Sequence, residues 1–137
     1  MSTIRKFFNF SGRINRRTYL VHSLLLTLLI IVVWVAAATL ALQSDGIIFP
    51  IIWLALTLAV IVRNLSLLIR RFHDFNGSGL MVFAYIIGSG FLSGVATRIA
   101  PFLDTVVTLV MLCIPLLIPG TQGDNKYGPQ PEKRIGM

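Results

Sequence analysis

Four long apolar runs dominate the chain, at residues 19–42, 47–69, 80–96 and 102–118. A hydrocarbon core about 30 Å thick needs about 17–25 apolar residues per crossing helix. Each run therefore predicts a transmembrane helix, the last two at the short limit. Turn chemistry separates them. Gln43-Ser44-Asp45-Gly46 divides the first pair, and Asn76-Gly77-Ser78-Gly79 precedes the third run. Pro101 suits the first turn of the fourth helix, where its missing N–H costs nothing. Pro119-Gly120 stops that helix, and Pro115 inside it predicts a kink, because it removes one backbone hydrogen bond. The pattern predicts an all-α polytopic membrane protein: a four-transmembrane-helix bundle forming a single membrane domain over residues 1–137. Ahead of it, Ile4, Phe7 and Phe8 share one side of residues 4–10 with Arg5 and Lys6 opposite. That spacing predicts a short N-terminal interfacial helix, rings in the acyl boundary and cations towards headgroups. Asn15 is placed to cap the first span through its side-chain oxygen.

Composition sharpens this picture. Of 137 residues, 55% are hydrophobic and 12% charged, against about 25% charged in an average soluble domain. A mean hydropathy of +0.82 agrees. These values exclude a water-soluble globule, a disordered chain and a disulfide-rich miniprotein. One cysteine, Cys113, lies in an apolar run, so no disulfide framework and no thiolate zinc site is expected. The charge is lopsided, 12 Lys and Arg against 5 Asp and Glu. Eleven of the twelve cations fall in residues 1–18, the second connection with its flanking helix end, and the tail; Arg98 alone falls elsewhere. By the positive-inside rule, the N-terminus 1–18, loop 70–79 and tail 119–137 are expected in the cytoplasm. A cleaved signal peptide or a twin-arginine signal at residues 16–20 fits less well, since the first run is long and three more follow it. Charge distributed in this way predicts no nucleic-acid partner.

The polar residues concentrate between Arg63 and Asp74. If helix continues that far, Arg63, Ser66, Arg70 and Asp74 share a narrow arc flanked by Asn64, Arg71 and His73. Leu65, Leu68, Ile69 and Phe72 occupy the other half. Such a face must meet protein, water or headgroups, because an unpaired charge in lipid is costly. Arg63, seven residues inside Arg70, either snorkels to the headgroups or lines a polar cavity. His73 beside Asp74 invites an acid–base reading, but neighbours on a helix point apart, and Arg70 with Asp74 forms an ordinary i,i+4 ion pair. No nucleophile, second carboxylate or histidine cluster joins them, so no catalytic residue, metal site or cofactor is assigned. In the third run, Ala84-x3-Gly88, Ser89-x3-Ser93 and Gly90-x3-Gly94 predict the central packing helix or a dimer contact, with packing inside the chain favoured. Asp104 suits a helix N-terminus and stands within reach of Arg98 across a short turn. The segment after Pro119 reads as an ordered turn.

Three segments then form a pattern. Phe8-Asn9-Phe10-Ser11-Gly12-Arg13, followed by Arg16 and Tyr19, resembles an F-x-F-x-G-R motif. Arg70-Arg71-Phe72-His73-Asp74, followed by Ser78-Gly79, resembles R-R-L-H-D…S-G-W. Gly120-Thr121-Gln122-Gly123-Asp124-Asn125-Lys126-Tyr127-Gly128-Pro129 resembles G-T-x-G-x-N-R-Y-G-P. In order and spacing these are similar to the motifs of a bacterial inner-membrane family, the domain-of-unknown-function group numbered 805. Leu20 and Leu80 stand where that family often has Trp, and Gly77 where it often has Lys or Arg. The resemblance implies about four spans and supplies no activity.

With all three segments on one side, a shared juxtamembrane site is expected. Arg13, Arg63, Arg70 and Arg71 serve as cations for an anion or headgroup, Asp74 orients them, and Asn125 and Tyr127 close over them. The expected partners are the lipid bilayer, anionic lipid headgroups, and a membrane protein partner or a homo-oligomer. A structural clasp without a ligand is the competing expectation. The leading functional reading is a non-enzymatic organiser of lipid or partner proteins. A subunit of a small oligomeric transporter or channel, with Arg63 and Ser66 along a polar path, stands second. A membrane enzyme acting on lipid phosphate stands third.

Overall fold

The computed structural model describes residues 9–41 and 47–132. Among these residues four α-helices follow one another: α1 (Arg16–Ala41), α2 (Ile48–Asp74), α3 (Gly79–Ile99) and α4 (Pro101–Leu117). Among the described residues the only other pairing is an isolated bridge between Asn125 and Gly128. The expected interfacial helix, apart from the non-helical Asn9 and Phe10, lies outside the described residues, as does the turn Gln43–Gly46. By length and apolarity α1, α2 and α3 can each cross a membrane, while α4 is a shorter apolar helix of 17 residues.

The helix ends follow local chemistry. Asn15 accepts a hydrogen bond from the Thr18 N–H at 2.7 Å, the expected cap of α1. Helix α2 runs to Asp74, five residues beyond its apolar run, so the polar stretch is helical. Asn76 then takes a left-handed conformation, φ 64°, and reverses the chain. Ser78 caps α3 by accepting from the Met81 N–H. Pro101 occupies the first turn of α4.

Pro115 lies inside α4, which continues to Leu117. Having no N–H, Pro115 cannot bond the Met111 carbonyl one turn back. The Tyr85 hydroxyl of α3 donates to that carbonyl instead. A proline in one helix is thus answered by a tyrosine in its neighbour.

Helices α1 and α2 pair along their length, from Ile14, Tyr19, Leu26, Val60 and Leu67 in the buried cluster to an edge-to-face contact of Trp34 with Trp53 at 5.0 Å. Helices α3 and α4 form the second pair through Tyr85 and through Ser93, which donates to the Asp104 carboxylate. Two expectations change here. Asp104 pairs with Ser93, because that hydroxyl faces it from the adjoining helix and Arg98 does not bridge to it among the described residues. In α3 a Cβ at Gly88, Gly90 or Gly94 would meet nothing within 4 Å, so these glycines make no close helix contact within the chain. Polar contacts of α3 to α4, rather than close glycine approach, hold that pair.

The two pairs meet chiefly at one end. The start of α1, the end of α2 and the segment after α4 converge there, and that end holds the buried polar residues Arg13, Thr18, Ser66, Arg71, His73 and Asp74. Away from it the helices expose large apolar side chains, Leu28, Val32, Ile52, Ile87 and Leu109 among them. This is the surface that a hydrocarbon solvent requires.

Candidate functional site

A helix leaves its last four carbonyls without intrahelical donors. At the end of α2 those acceptors recruit the rest of the site. The Phe72 carbonyl takes the Gly77 N–H at 2.8 Å. The His73 carbonyl takes the Asn125 side-chain amide at 2.9 Å. The Asp74 carbonyl takes the Thr121 N–H at 2.8 Å, the Thr121 hydroxyl at 3.0 Å and an Arg13 Nη2 at 3.4 Å. One turn deeper, the Arg70 carbonyl accepts from the Ile14 N–H at 3.3 Å. The chain before α1 and the chain after α4 therefore both cap α2.

The Asp74 carboxylate, 4% exposed, stands between two guanidiniums. Arg13 Nε donates to Oδ1 at 3.2 Å, and Arg71 Nη1 donates to Oδ2. Both arginines spend their remaining donors on main-chain oxygens. Arg13 reaches the carbonyls of Thr121 and Gly123, each at 2.7 Å, and of Gly128 at 3.4 Å. Arg71 reaches Pro115 at 2.7 Å and Ile118 at 2.5 Å. Those two carbonyls belong to the end of α4, where the helix dipole is negative and a cation is favoured. Two cations on one carboxylate leave one net positive charge, and the carbonyl dipoles offset it. Burial of such a group is tolerated because each partner is hydrogen-bonded.

Glycine fits this approach closely. A Cβ on Gly120 would fall inside the contact shell of the Asp74 carboxylate. Gly123 has φ 72° and Gly128 φ 130°, so the tail turns both Gly carbonyls onto Arg13. Tyr127 stacks flat on His73, centroids 3.8 Å apart and planes 5° from parallel. The Tyr127 N–H is held by the Asn125 side chain at 2.9 Å. His73 Nδ1 meets the Gly12 carbonyl at 3.2 Å. His73 and Asp74 thus face different partners, and no acid–base pair forms between them.

Of the expected site residues, Arg13, Arg71, Asp74, Asn125 and Tyr127 are brought together. Two details differ from expectation. The ion-pair partner of Asp74 within α2 is Arg71 at i,i+3 rather than Arg70 at i,i+4, because Arg71 lies on the side where α4 ends. Arg70 sits outside the clasp, half-buried, with its Nε shielded from solvent and lacking a hydrogen-bond partner. Arg63 lies on the same face of α2, near enough to repel it. Ser66 is fully buried and donates to the Asn9 carbonyl at 2.5 Å, which closes it off from any polar path.

Sequence reasoning overlooked Thr121, Pro115, Ile118 and the glycine carbonyls, since main-chain acceptors carry no residue signature. Gly120-Thr121 directly after the last helix was the available signal.

These are the same three segments whose order and spacing mark a family, and the profile of the protein of unknown function family DUF805 matches residues 7–129. The chain belongs to DUF805. The match starts just before the Arg13 segment and ends at Pro129, so it contains the whole clasp. Two curated relatives, Inner membrane protein YhaI of Escherichia coli strain K12 and of Escherichia coli O157:H7, are each 27% identical over 132 residues. The alignment covers 96% of this chain and 93% of each relative. No solved structure matches the chain. In this DUF805 chain the family-defining segments are therefore the ones that seal the helix ends to one another.

Proposed function

We propose that this chain is a four-span inner-membrane protein with both termini in the cytoplasm, and that it is a non-enzymatic organiser of anionic lipid. The E. coli relatives named as inner membrane proteins support the location. The asymmetry of Lys and Arg supports the orientation. In this reading α4, 17 residues long, spans at the short limit.

The single observation that carries the lipid reading is Arg70. Arg13 and Arg71 are saturated by the protein's own acceptors, whereas Arg70, only part-buried, forms no ion pair among the described residues. A guanidinium donor at this depth favours an anionic oxygen. Arg63 adds a second cation on the same face of α2, about 10 Å away along the helix axis. A phosphate-bearing headgroup at the cytoplasmic surface supplies the anion. The clasp beneath holds α2 in the position that presents Arg70.

The test compares the wild type with the Arg63→Gln/Arg70→Gln double variant. Each is extracted from membranes of phosphatidylglycerol and phosphatidylethanolamine and weighed with bound lipid by native mass spectrometry. Each surface cation contributes about 1 kcal/mol towards anionic lipid, so phosphatidylglycerol retention is expected to fall roughly fivefold per charge removed. Equal retention by a folded double variant would overturn the proposal.

A further inference from the structure

A cleft of about 470 Å³ lies between the two helix pairs, lined by residues that include Tyr19, Ile30, Ile61, Asn64, Leu68 and Leu112. It is on a different side of α2 from Arg63 and Arg70. Two of its polar side chains bond within their own helices. Thr27 donates to the Ser23 carbonyl at 2.8 Å, and Asn64 donates to the Val60 carbonyl at 3.1 Å, each within its own helix. What faces the space is therefore mainly hydrocarbon. The cleft is open to the surroundings rather than enclosed, so in a bilayer it is filled by something apolar.

Length identifies the filler. From Tyr19 to Ile30 the cleft follows α1 for about 16 Å at 1.5 Å per residue. That is about half of a 30 Å hydrocarbon core, the depth of one leaflet. An extended acyl chain of one leaflet matches that length. At the end of the cleft nearest the clasp, exposed Arg16 lies one turn before Tyr19 on the same side of α1. Arg17 is exposed beside it. A chain in the cleft brings its headgroup to these cations.

We infer that the cleft between the helix pairs holds one acyl chain of an anionic phospholipid from the cytoplasmic leaflet, with its phosphate on Arg16. The inference rests on the orientation and lipid reading above, and it adds a defined site at which one lipid is held by shape as well as charge.

Two variants test it separately from the Arg63 and Arg70 face. Ile61→Trp fills the cleft from a position that is 53% exposed and tolerant of a larger ring. Arg16→Gln removes the headgroup cation and leaves the cleft open. The probes are phosphatidylglycerol and phosphatidylcholine with matched acyl chains, titrated onto delipidated protein and counted by native mass spectrometry. The wild type is expected to keep one tightly held lipid per chain and to prefer phosphatidylglycerol. Ile61→Trp should lower retention of both lipids by roughly tenfold. Arg16→Gln should remove roughly fivefold of the phosphatidylglycerol preference while phosphatidylcholine retention stays. If Ile61→Trp retains that lipid as the wild type does, or Arg16→Gln keeps the full preference, the cleft site is overturned. Should Arg63→Gln/Arg70→Gln still lose phosphatidylglycerol in that case, the cationic face stands without the cleft. Loss in the cleft variant alone would leave the cleft standing and remove the face.

Discussion

Asp74 is the residue on which most of the site depends. Its carboxylate takes one guanidinium on each oxygen, and its carbonyl takes Thr121. Asp74→Asn would leave two buried guanidiniums facing a neutral amide that can oppose them with its own N–H groups. Removing one member of a buried, hydrogen-bonded ion group costs about 3–5 kcal/mol. The expected outcome is a lowered unfolding midpoint in detergent, followed by helical circular dichroism. Gly120→Ala is expected to act in the same direction through steric contact with that carboxylate. Arg70→Gln removes a shielded donor that has no partner, so it is expected not to lower the unfolding midpoint. A large loss for Arg70→Gln would place it in the clasp after all. Arg13, Arg71, Asp74, Asn125 and Tyr127 could be read from the chain because charge and turn chemistry are visible in residue types. The choice of Arg71 over Arg70 was not, since it depends on where α4 ends.

Helix α4 shows how one element's defect becomes another's anchor. Pro115 strips the Met111 carbonyl of its helical donor, and the Tyr85 hydroxyl replaces it. Tyr85→Phe should therefore leave a part-buried carbonyl without its donor and cost about 1 kcal/mol or more. Pro115→Ala restores an N–H at that position, so in its background Tyr85→Phe should cost much less. A double-mutant cycle on unfolding free energy measures this coupling, and additive effects would exclude it. The apolar runs and the proline were plain in the sequence. The boundaries moved where polar residues could still complete a helix: α2 extends to Asp74 because capping partners wait there. The glycines of α3 make no close contact within the chain, and spacing alone does not say which neighbour approaches.

For the molecule as a whole, the clasp ties both ends of the chain to the end of α2. Loop 75–78 and the tail through Pro129 consequently share one end of the helix bundle. Orientation of that end towards the cytoplasm is tested by thiol labelling. In a Cys113→Ala background, Asp124→Cys should react with an impermeant maleimide only after the inner membrane is opened. Arg98→Cys should react beforehand, from the opposite surface. Reaction of both in intact spheroplasts would remove the proposed orientation, and with it the cytoplasmic leaflet as the source of lipid.

Hydrophobic run length and the one-sided placement of cations were enough to specify an all-helical membrane chain, because both are one-dimensional properties matched to the thickness and the electrical polarity of a bilayer. Which cation spends its donors on carbonyls, and which keeps one in reserve, was decided only when the ends of α2 and α4 came together. Hydrogen-bond saturation is a matter of which oxygens lie within about 3 Å, and main-chain oxygens are the same at every position until folding places them.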